Sequence, residues 1–174
     1  LDGTCSVQAS DEDGAWYAQV TLENLKRNAG GNEIPNMVIE DWPDLGYRGF
    51  MLDISRNFTT KDNILRFIDL LAHYKVNVFH LHFGDDEGWR VEIEKFPELT
   101  TFGAYHEFPY KNEDGEYVEE NYLMPSYNGG MDPEDMSSSA NGHLTKEDYI
   151  EILKYAWERR ISVIPEFDTP GHSR

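Results

Sequence analysis

Three short apolar runs recur along the chain, each ending abruptly in polar and turn-forming residues: Tyr47–Ile54 (YRGFMLDI), Val76–Phe83 (VNVFHLHF) and Ile161–Asp168 (ISVIPEFD). Their length and their β-branched and aromatic content predict buried strands. Between the first two, Lys61 to Tyr74 sets Ile64, Leu65, Phe67, Ile68, Leu71 and Ala72 on one wide face at helical spacing, with Thr59 or Thr60 as the cap. Before the third, Lys146 to Arg159 sets Tyr149, Ile150, Leu153, Ala156 and Trp157 toward the core. Thr145 and Asp148 precede it as a capping box, with Asp where Glu or Gln is preferred. Strand, helix and strand at this spacing predict βαβ units, hence parallel pairing and right-handed crossovers.

The flanks are less regular. Leu1–Ala9 is a weak strand candidate. Ser10 or Asp11 caps a predicted helix over Asp13–Asn28, with Ala15, Trp16, Val20, Leu22 and Leu25 as its apolar stripe, and the run from Asn28 to Asn32 ends it. Ile34–Trp42 reads as an extended lead-in. This divides the chain into residues 1–33, the tail of a preceding domain, and residues 34–174. Glu92–Leu144 is long for one connection, and such loops usually carry function. Trp89–Glu94 suggests a short strand there and Phe96–Leu99 a turn of helix. Tyr105, Phe108, Tyr110, Tyr117, Tyr122 and Tyr127 follow, and Met136–Asn141 is the piece expected to be disordered.

Composition narrows the function. The 33 acidic residues against 15 Lys and Arg give a net charge of −18, which repels a nucleic-acid backbone or an anionic membrane surface. Cys5 is the single cysteine, so there is neither an intrachain disulfide nor a thiolate metal site. No apolar run approaches the ~20 residues of a membrane span. At 174 residues the chain has room for a real core but is short of the ~250 residues typical of a complete eight-stranded barrel. It begins at Leu1 without Met and stops directly after a motif, so it is expected to be part of a longer protein.

The chemistry gathers after the strands. The second run continues as Gly84, Asp85, Asp86, Glu87, Gly88, Trp89 and Arg90, and the third leads into Pro170, Gly171 and His172. A parallel α/β fold builds its sites at such C-terminal strand ends. Asp85 and Asp86 invite the reading of a two-carboxylate glycosidase pair. Adjacent residues leaving a strand point opposite ways, however, and a retaining pair needs carboxyl groups ~5 Å apart across one bond.

The segments YRGFMLDISRNF, NVFHLHFGDDEGWRVEI and GHLTKEDYIEILKYAWERRISVIPEFDTPGHS resemble the glycoside hydrolase family 20 β-N-acetylhexosaminidases, in order and in spacing, from about residue 35 to the end. The helix DGAWYAQVTLENL looks like the last helix of the small α+β domain that precedes the barrel in that family. The resemblance implies an α/β fold containing about the first three parallel strands of a TIM (β/α)8 barrel. It implies that Arg48 holds sugar hydroxyls, as a guanidinium fork suits two adjacent oxygens. Asp85 and His172 join it as substrate-binding residues, and Asp168, Glu166 and His82 support them. Asp168, four residues before His172, is expected to hydrogen-bond that ring and fix its tautomer. For Asp86 and Glu87 a solvated or capping turn is an equal reading.

The implied reaction is substrate-assisted hydrolysis of terminal GlcNAc or GalNAc from glycans, with retention and without cofactor or metal. The acetamido oxygen attacks C1, one aspartate polarises that group, and the adjacent glutamate protonates the leaving oxygen. In the family this Asp–Glu pair follows the fourth strand, so none of the catalytic residues is expected among residues 1–174, and the fragment alone is expected to be inactive. The substrate class implies an extracytoplasmic location. Two alternatives stand beside this reading: a metal-dependent TIM-barrel hydrolase using His80 and His82, and a non-catalytic carbohydrate-binding piece using the tyrosines of 105–127. Phe50, Leu52, Val78 and Val163 belong to strands that expect neighbours, so self-association through an open barrel face is a further expectation.

Overall fold

The computed structural model describes residues 4–31, 33–101, 103–104, 114 and 142–172. The element order is α1 (Glu12–Ala29), β1 (Gly49–Asp53), α2 (Lys61–His73), β2 (Val78–Asp85), β3 (Gly88–Trp89), α3 (Glu98–Thr101), α4 (Lys146–Glu158) and β4 (Ser162–Phe167). Residues 4–9 form no strand, and Ile34–Trp42 forms neither helix nor strand. The tyrosines of 105–127, Phe108 and the piece 136–141 lie outside the described residues.

β2 is the middle of the sheet. It pairs parallel with β1, from Gly49 opposite Val78 to Asp53 opposite His82, and parallel with β4, from Ser162 opposite Val78 to Glu166 opposite His82. The parallel pairing expected of the βαβ units forms, and beside it the short β3, at Gly88–Trp89 rather than Trp89–Glu94, folds back antiparallel on β2 with Trp89 opposite Gly84 and Gly88 opposite Asp85. The second strand therefore runs two residues past Phe83. Gly84 permits this, because a Cβ there would sit 3.0 Å from the Trp89 ring. That ring stacks on Phe167 with centroids 4.9 Å apart and so ties the hairpin to the end of β4.

Alternation along β2 separates two chemistries. Phe79, Leu81 and Phe83 are fully buried and join Ile54, Ile64, Ile68, Ile152, Ala156 and Ile161 in one cluster between the sheet and helices α2 and α4. Burying each such side chain is worth roughly 1.5–3 kcal/mol, so this face fixes which side of the sheet the helices cover. His80 and His82 point to the other face. The α2 stripe packs as its periodicity predicts, with Ile64, Ile68, Leu71 and Ala72 buried.

For α4 the expected face is corrected. Tyr149 and Ala156 do face the core, but the third inward position is Ile152, while Ile150 and Leu153 are over a third exposed and Trp157 is 72% exposed. Apolar residues occur on both sides of this helix, so periodicity alone does not select the buried one. Its capping box forms as predicted, Thr145 Oγ1 accepting from Asp148 N at 3.1 Å and Asp148 Oδ2 from Thr145 N at 3.1 Å. α1 is capped by Asp11, whose Oδ1 accepts from Gly14 N at 2.7 Å, and it buries Val20 and packs Trp16 against the main cluster.

Candidate active site

In a parallel sheet all C-terminal strand ends lie on one side, and there the loops after β1, β2 and β4 meet. After β1 the chain turns tightly. Asp53 Oδ1 accepts from Ser55 N at 2.9 Å and from Arg56 N at 3.1 Å, an Asx turn that swings Arg56 back over the same carboxylate. Arg56 Nη1 then donates to Asp53 Oδ2 at 2.7 Å and Nε to Glu87 Oε2 at 3.1 Å, while Nη2 lies 2.5 Å from Asp85 Oδ2. The Asp53, Asp85 and Glu87 carboxylates outweigh partial burial and raise this guanidinium's pKa further, so it stays charged.

Asp85 is the hub. Its side chain is 1% exposed, and four donors surround its two oxygens. Oδ1 accepts from Asp86 N at 2.7 Å and lies 3.1 Å from His172 Nδ1. Oδ2 lies 2.9 Å from His82 Nε2 and also faces Arg56. Burial alone would raise this carboxyl's pKa; the Asp86 amide, His82, Arg56 and His172 more than offset it and hold the pKa below the usual carboxylate range.

Behind Asp85, His82 is 2% exposed. Its Nδ1 sits 2.9 Å from Glu166 Oε2, an ion-pair distance without hydrogen-bond alignment, and the same oxygen lies 2.7 Å from His80 Nε2. Burial would lower the His82 pKa, but Glu166, Asp85 and Asp53 together hold it above its ordinary value. After β4, the turn through Pro170 and Gly171 places His172 over Asp85 with a left-handed φ of 54°. That backbone costs roughly 1 kcal/mol for a residue with a Cβ, a cost offset by the carboxylate the ring reaches.

The predicted residues are partly brought together. Asp85, His172, His82 and Glu166 form one connected group, and Asp168 adjoins it, with donor atoms of His82, Asp85 and Asp168 within 4.8 Å of one another. The carboxylate that meets His172 is Asp85 rather than Asp168. Arg48 is not in the group. It precedes β1, at the opposite end of the sheet, and its guanidinium donates to Lys75 O at 2.7 Å, Leu45 O at 2.7 Å and the Tyr17 hydroxyl at 2.9 Å. It ties α1 to the sheet.

Arg56, Asp53 and Arg90 are the site residues the pattern left unassigned. Arg56 had a readable signal, since it follows the C-terminal end of a parallel strand whereas Arg48 precedes the N-terminal end. Arg90 had none, because its partners are backbone carbonyls of Ser55, Ala104 and Gly142.

The arrangement suits a polar ligand better than a divalent cation. The donor atoms of Asp85, Asp86 and His172 also lie within 4.8 Å of one another, but Asp85 is already paired with Arg56, and both ring nitrogens of His82 face carboxylates. A metal at the His82 set would have to displace a guanidinium and compete with a ring whose flanking carboxylates favour its protonated form. His80 meets Glu166, which the metal-dependent reading did not require.

Comparison with known proteins agrees with the strand-end motifs. The description "Glycosyl hydrolase family 20, catalytic domain" matches residues 45–174. The N,N'-diacetylchitobiase of Vibrio harveyi is 42% identical over 97% of this chain and 18% of its own length, and the β-hexosaminidase of Vibrio vulnificus 43% identical over 99% of this chain and 20% of its own. The chain thus spans about a fifth of the length of these relatives. Among solved structures, a β-N-acetylhexosaminidase superposes with a TM-score of 0.72 at 31% identity, over 92% of this chain and 30% of that one. The exo-β-N-acetylglucosaminidase of Vibrio harveyi in complex with N-acetylglucosamine superposes at 0.57 with 37% identity, over 76% of this chain and 18% of that one. With three quarters of its length in that match, and the strand-end residues gathered as described, the chain belongs to glycosyl hydrolase family 20 through the family's catalytic domain.

Proposed function

We propose that the chain forms the sugar-holding part of an exo-acting β-N-acetylhexosaminidase that removes terminal GlcNAc or GalNAc by substrate-assisted, retaining hydrolysis. The observation that carries this reading is Asp85, a nearly inaccessible carboxylate at a strand end that faces both the Arg56 guanidinium and the His172 ring. Fixed by that carboxylate, the exposed Arg56 guanidinium and His172 ring can offer positioned donors to adjacent ring hydroxyls. The sugar-binding set is Arg56, Asp85 and His172, with Asp168, Glu166 and His82 behind them, and the guanidinium role passes from Arg48 to Arg56.

The same reading places residues 34–174 in the first part of a (β/α)8 barrel and residues 1–33 at the end of a small α+β domain. The Asp–Glu pair that polarises the acetamido group and protonates the leaving oxygen comes from chain outside these residues, so a polypeptide of residues 1–174 alone does not turn over an aryl N-acetylglucosaminide. The substrates are N-acetylhexosamine-terminated glycans met outside the cytoplasm. No helix among the described residues is long and apolar enough to cross a membrane.

The test is turnover of an aryl N-acetyl-β-glucosaminide by the full-length protein and its Asp85→Asn variant. The reading expects hydrolysis with retention by the parent and a loss of at least 100-fold in kcat/KM in the variant. A folded parent that leaves such substrates intact overturns it.

A further inference from the structure

The sugar-facing residues do not explain why the interior face of β2 and β4 carries a buried imidazole between two carboxylates. His82 presents Nε2 to Asp85 Oδ2 and Nδ1 to Glu166 Oε2, each at 2.9 Å. A neutral imidazole has one bare nitrogen: at Nδ1 its lone pair faces Glu166 Oε2, and at Nε2 it faces Asp85 Oδ2, with Arg56 Nη1 as a donor at 3.3 Å. The imidazolium is the one state that turns an N–H on both carboxylates. Glu166 Oε2 is shut off from solvent and lies 2.9 Å from His82 Nδ1 and 2.7 Å from His80 Nε2, so these two imidazoles are the groups that face its charge.

We infer that Glu166 is a positioning residue, which acts through the His82 imidazolium to fix the orientation and charge of Asp85. The inference rests on the proposed function, in which Asp85 carries Arg56 and His172 at the sugar. Glu166 comes from β4 and Asp85 from the end of β2, so the imidazolium is a strut between the two strands, set by their parallel register of His82 opposite Glu166. With a carboxylate at each nitrogen, the charged ring has one orientation. Without Glu166, Nδ1 faces no anion, the ring deprotonates at lower pH, and Asp85 loses the positive charge beside it although the remaining N–H on Nε2 still points at it.

The titratable and charged groups facing His82 are Asp53 and Arg56 from β1 and its turn, His80 and Asp85 from β2, and Glu166 and Asp168 from β4 and its end. Among the described residues only Glu166 and Asp85 lie within 3 Å of the ring nitrogens, with Arg56 Nη1 next at 3.3 Å from Nε2.

The experiment uses the full-length protein and the variants Glu166→Gln, which keeps shape and removes charge, and Glu166→Asp, which keeps charge. Two readouts are taken: the NMR titration of the His82 ring, which needs no turnover, and the pH profile of kcat/KM. In Glu166→Gln the His82 titration moves to lower pH, and the alkaline limb of kcat/KM moves with it. That leaves activity near the parent's in acid and roughly 10- to 100-fold low where the ring is neutral. Glu166→Asp restores the His82 titration toward that of the parent. Superimposable His82 titrations and pH profiles in parent and Glu166→Gln overturn the inference, as does a uniform loss of activity at all pH values. A parent with the expected His82 titration but no turnover of N-acetylhexosaminides overturns the proposed function and leaves the strut in place.

Discussion

Arg90 aims two of its nitrogens at one carbonyl: Nε and Nη2 lie 3.0 and 2.7 Å from Ser55 O. The same side chain reaches Ala104 O at 2.6 Å and Gly142 O at 3.1 Å through Nη1, and it is fully buried. Burial pushes its guanidinium down to about 10, against the pull of Asp53 and Glu87, which leaves it charged at neutral pH. Ser55 belongs to the turn that carries Arg56, and its Oγ donates to Gly88 O at 2.5 Å. A buried cation and one hydroxyl thus clamp the β1 turn onto the β2–β3 hairpin.

Removing that clamp is expected to cost stability before it costs chemistry. Arg90→Met strips the buried Ser55 carbonyl of both its Arg90 donors, while Ala104 O keeps Gly142 N at 3.1 Å, and should cost about 1–3 kcal/mol for the carbonyl left unpaired. Arg90→Lys recovers only part, because an ammonium lacks the planar fork. Gly88→Ala should act in the same direction, since its Cβ would lie 2.5 Å from Arg90 Cζ. Urea unfolding midpoints of the full-length protein and these three variants check the order.

The two arginines that flank β1 make a second test. Arg56→Gln removes a charged fork from the proposed sugar pocket. At about 1.5–3 kcal/mol per hydrogen bond to a charged group, two lost bonds lower kcat/KM by about 10²–10⁴-fold. Arg48→Gln unfastens α1, where the guanidinium also lies 5.2 Å from the centre of the Tyr17 ring, and should lower stability by about 0.5–3 kcal/mol with little change in kcat. Steady-state kinetics and thermal melts on the two variants separate these outcomes, and a kinetic loss in Arg48→Gln matching that of Arg56→Gln would refute the assignment.

The hub carboxylate and its imidazole partner have opposite pH signatures. The Asp85 pKa is depressed on folding, so its contribution is present above the unfolded aspartate value of ~3.9 and is lost as pH falls through the lower folded value. The His82 pKa is raised, so its contribution is complete below the unfolded value of ~6.5 and is lost as pH rises through the folded value. Asp85→Asn should flatten the acid side of the stability–pH curve. His82→Gln should flatten the neutral-to-alkaline side. Unfolding free energies of parent and variants across the two windows show whether each slope disappears.

The sheet's unpaired edges predict association. Phe50, Met51, Ile164 and Phe167 are between 36% and 47% exposed, on β1 and β4, which each pair only with β2 among the described strands. A polypeptide of residues 1–174 alone should therefore associate through these edges. Light scattering on that polypeptide, with Ile164→Lys as the comparison, is expected to show oligomers that the charge disperses; a stable monomer of the unsubstituted polypeptide sinks the expectation.

Local pattern determined much of this protein. The periodicities of Lys61–His73 and Val78–Phe83 announce α2 and β2, because a helix face and a strand face depend on neighbours a few positions away. The placement of chemistry after the strands was legible for the same reason, since parallel strands separated by helices deliver their C-terminal ends to one side. Three things waited for tertiary structure. The buried face of α4 is set by what the sheet leaves room for, and Ile152 fits there while Trp157 does not. The reversal at Gly84 depends on the Trp89 ring lying over a position with no Cβ. Above all, pairing His82 with Glu166, and Asp85 with Arg56 and His172, required knowing which groups from different elements lie close to each other. Ion pairs and imidazolium states are properties of distance between elements, and no spacing along the chain encodes them.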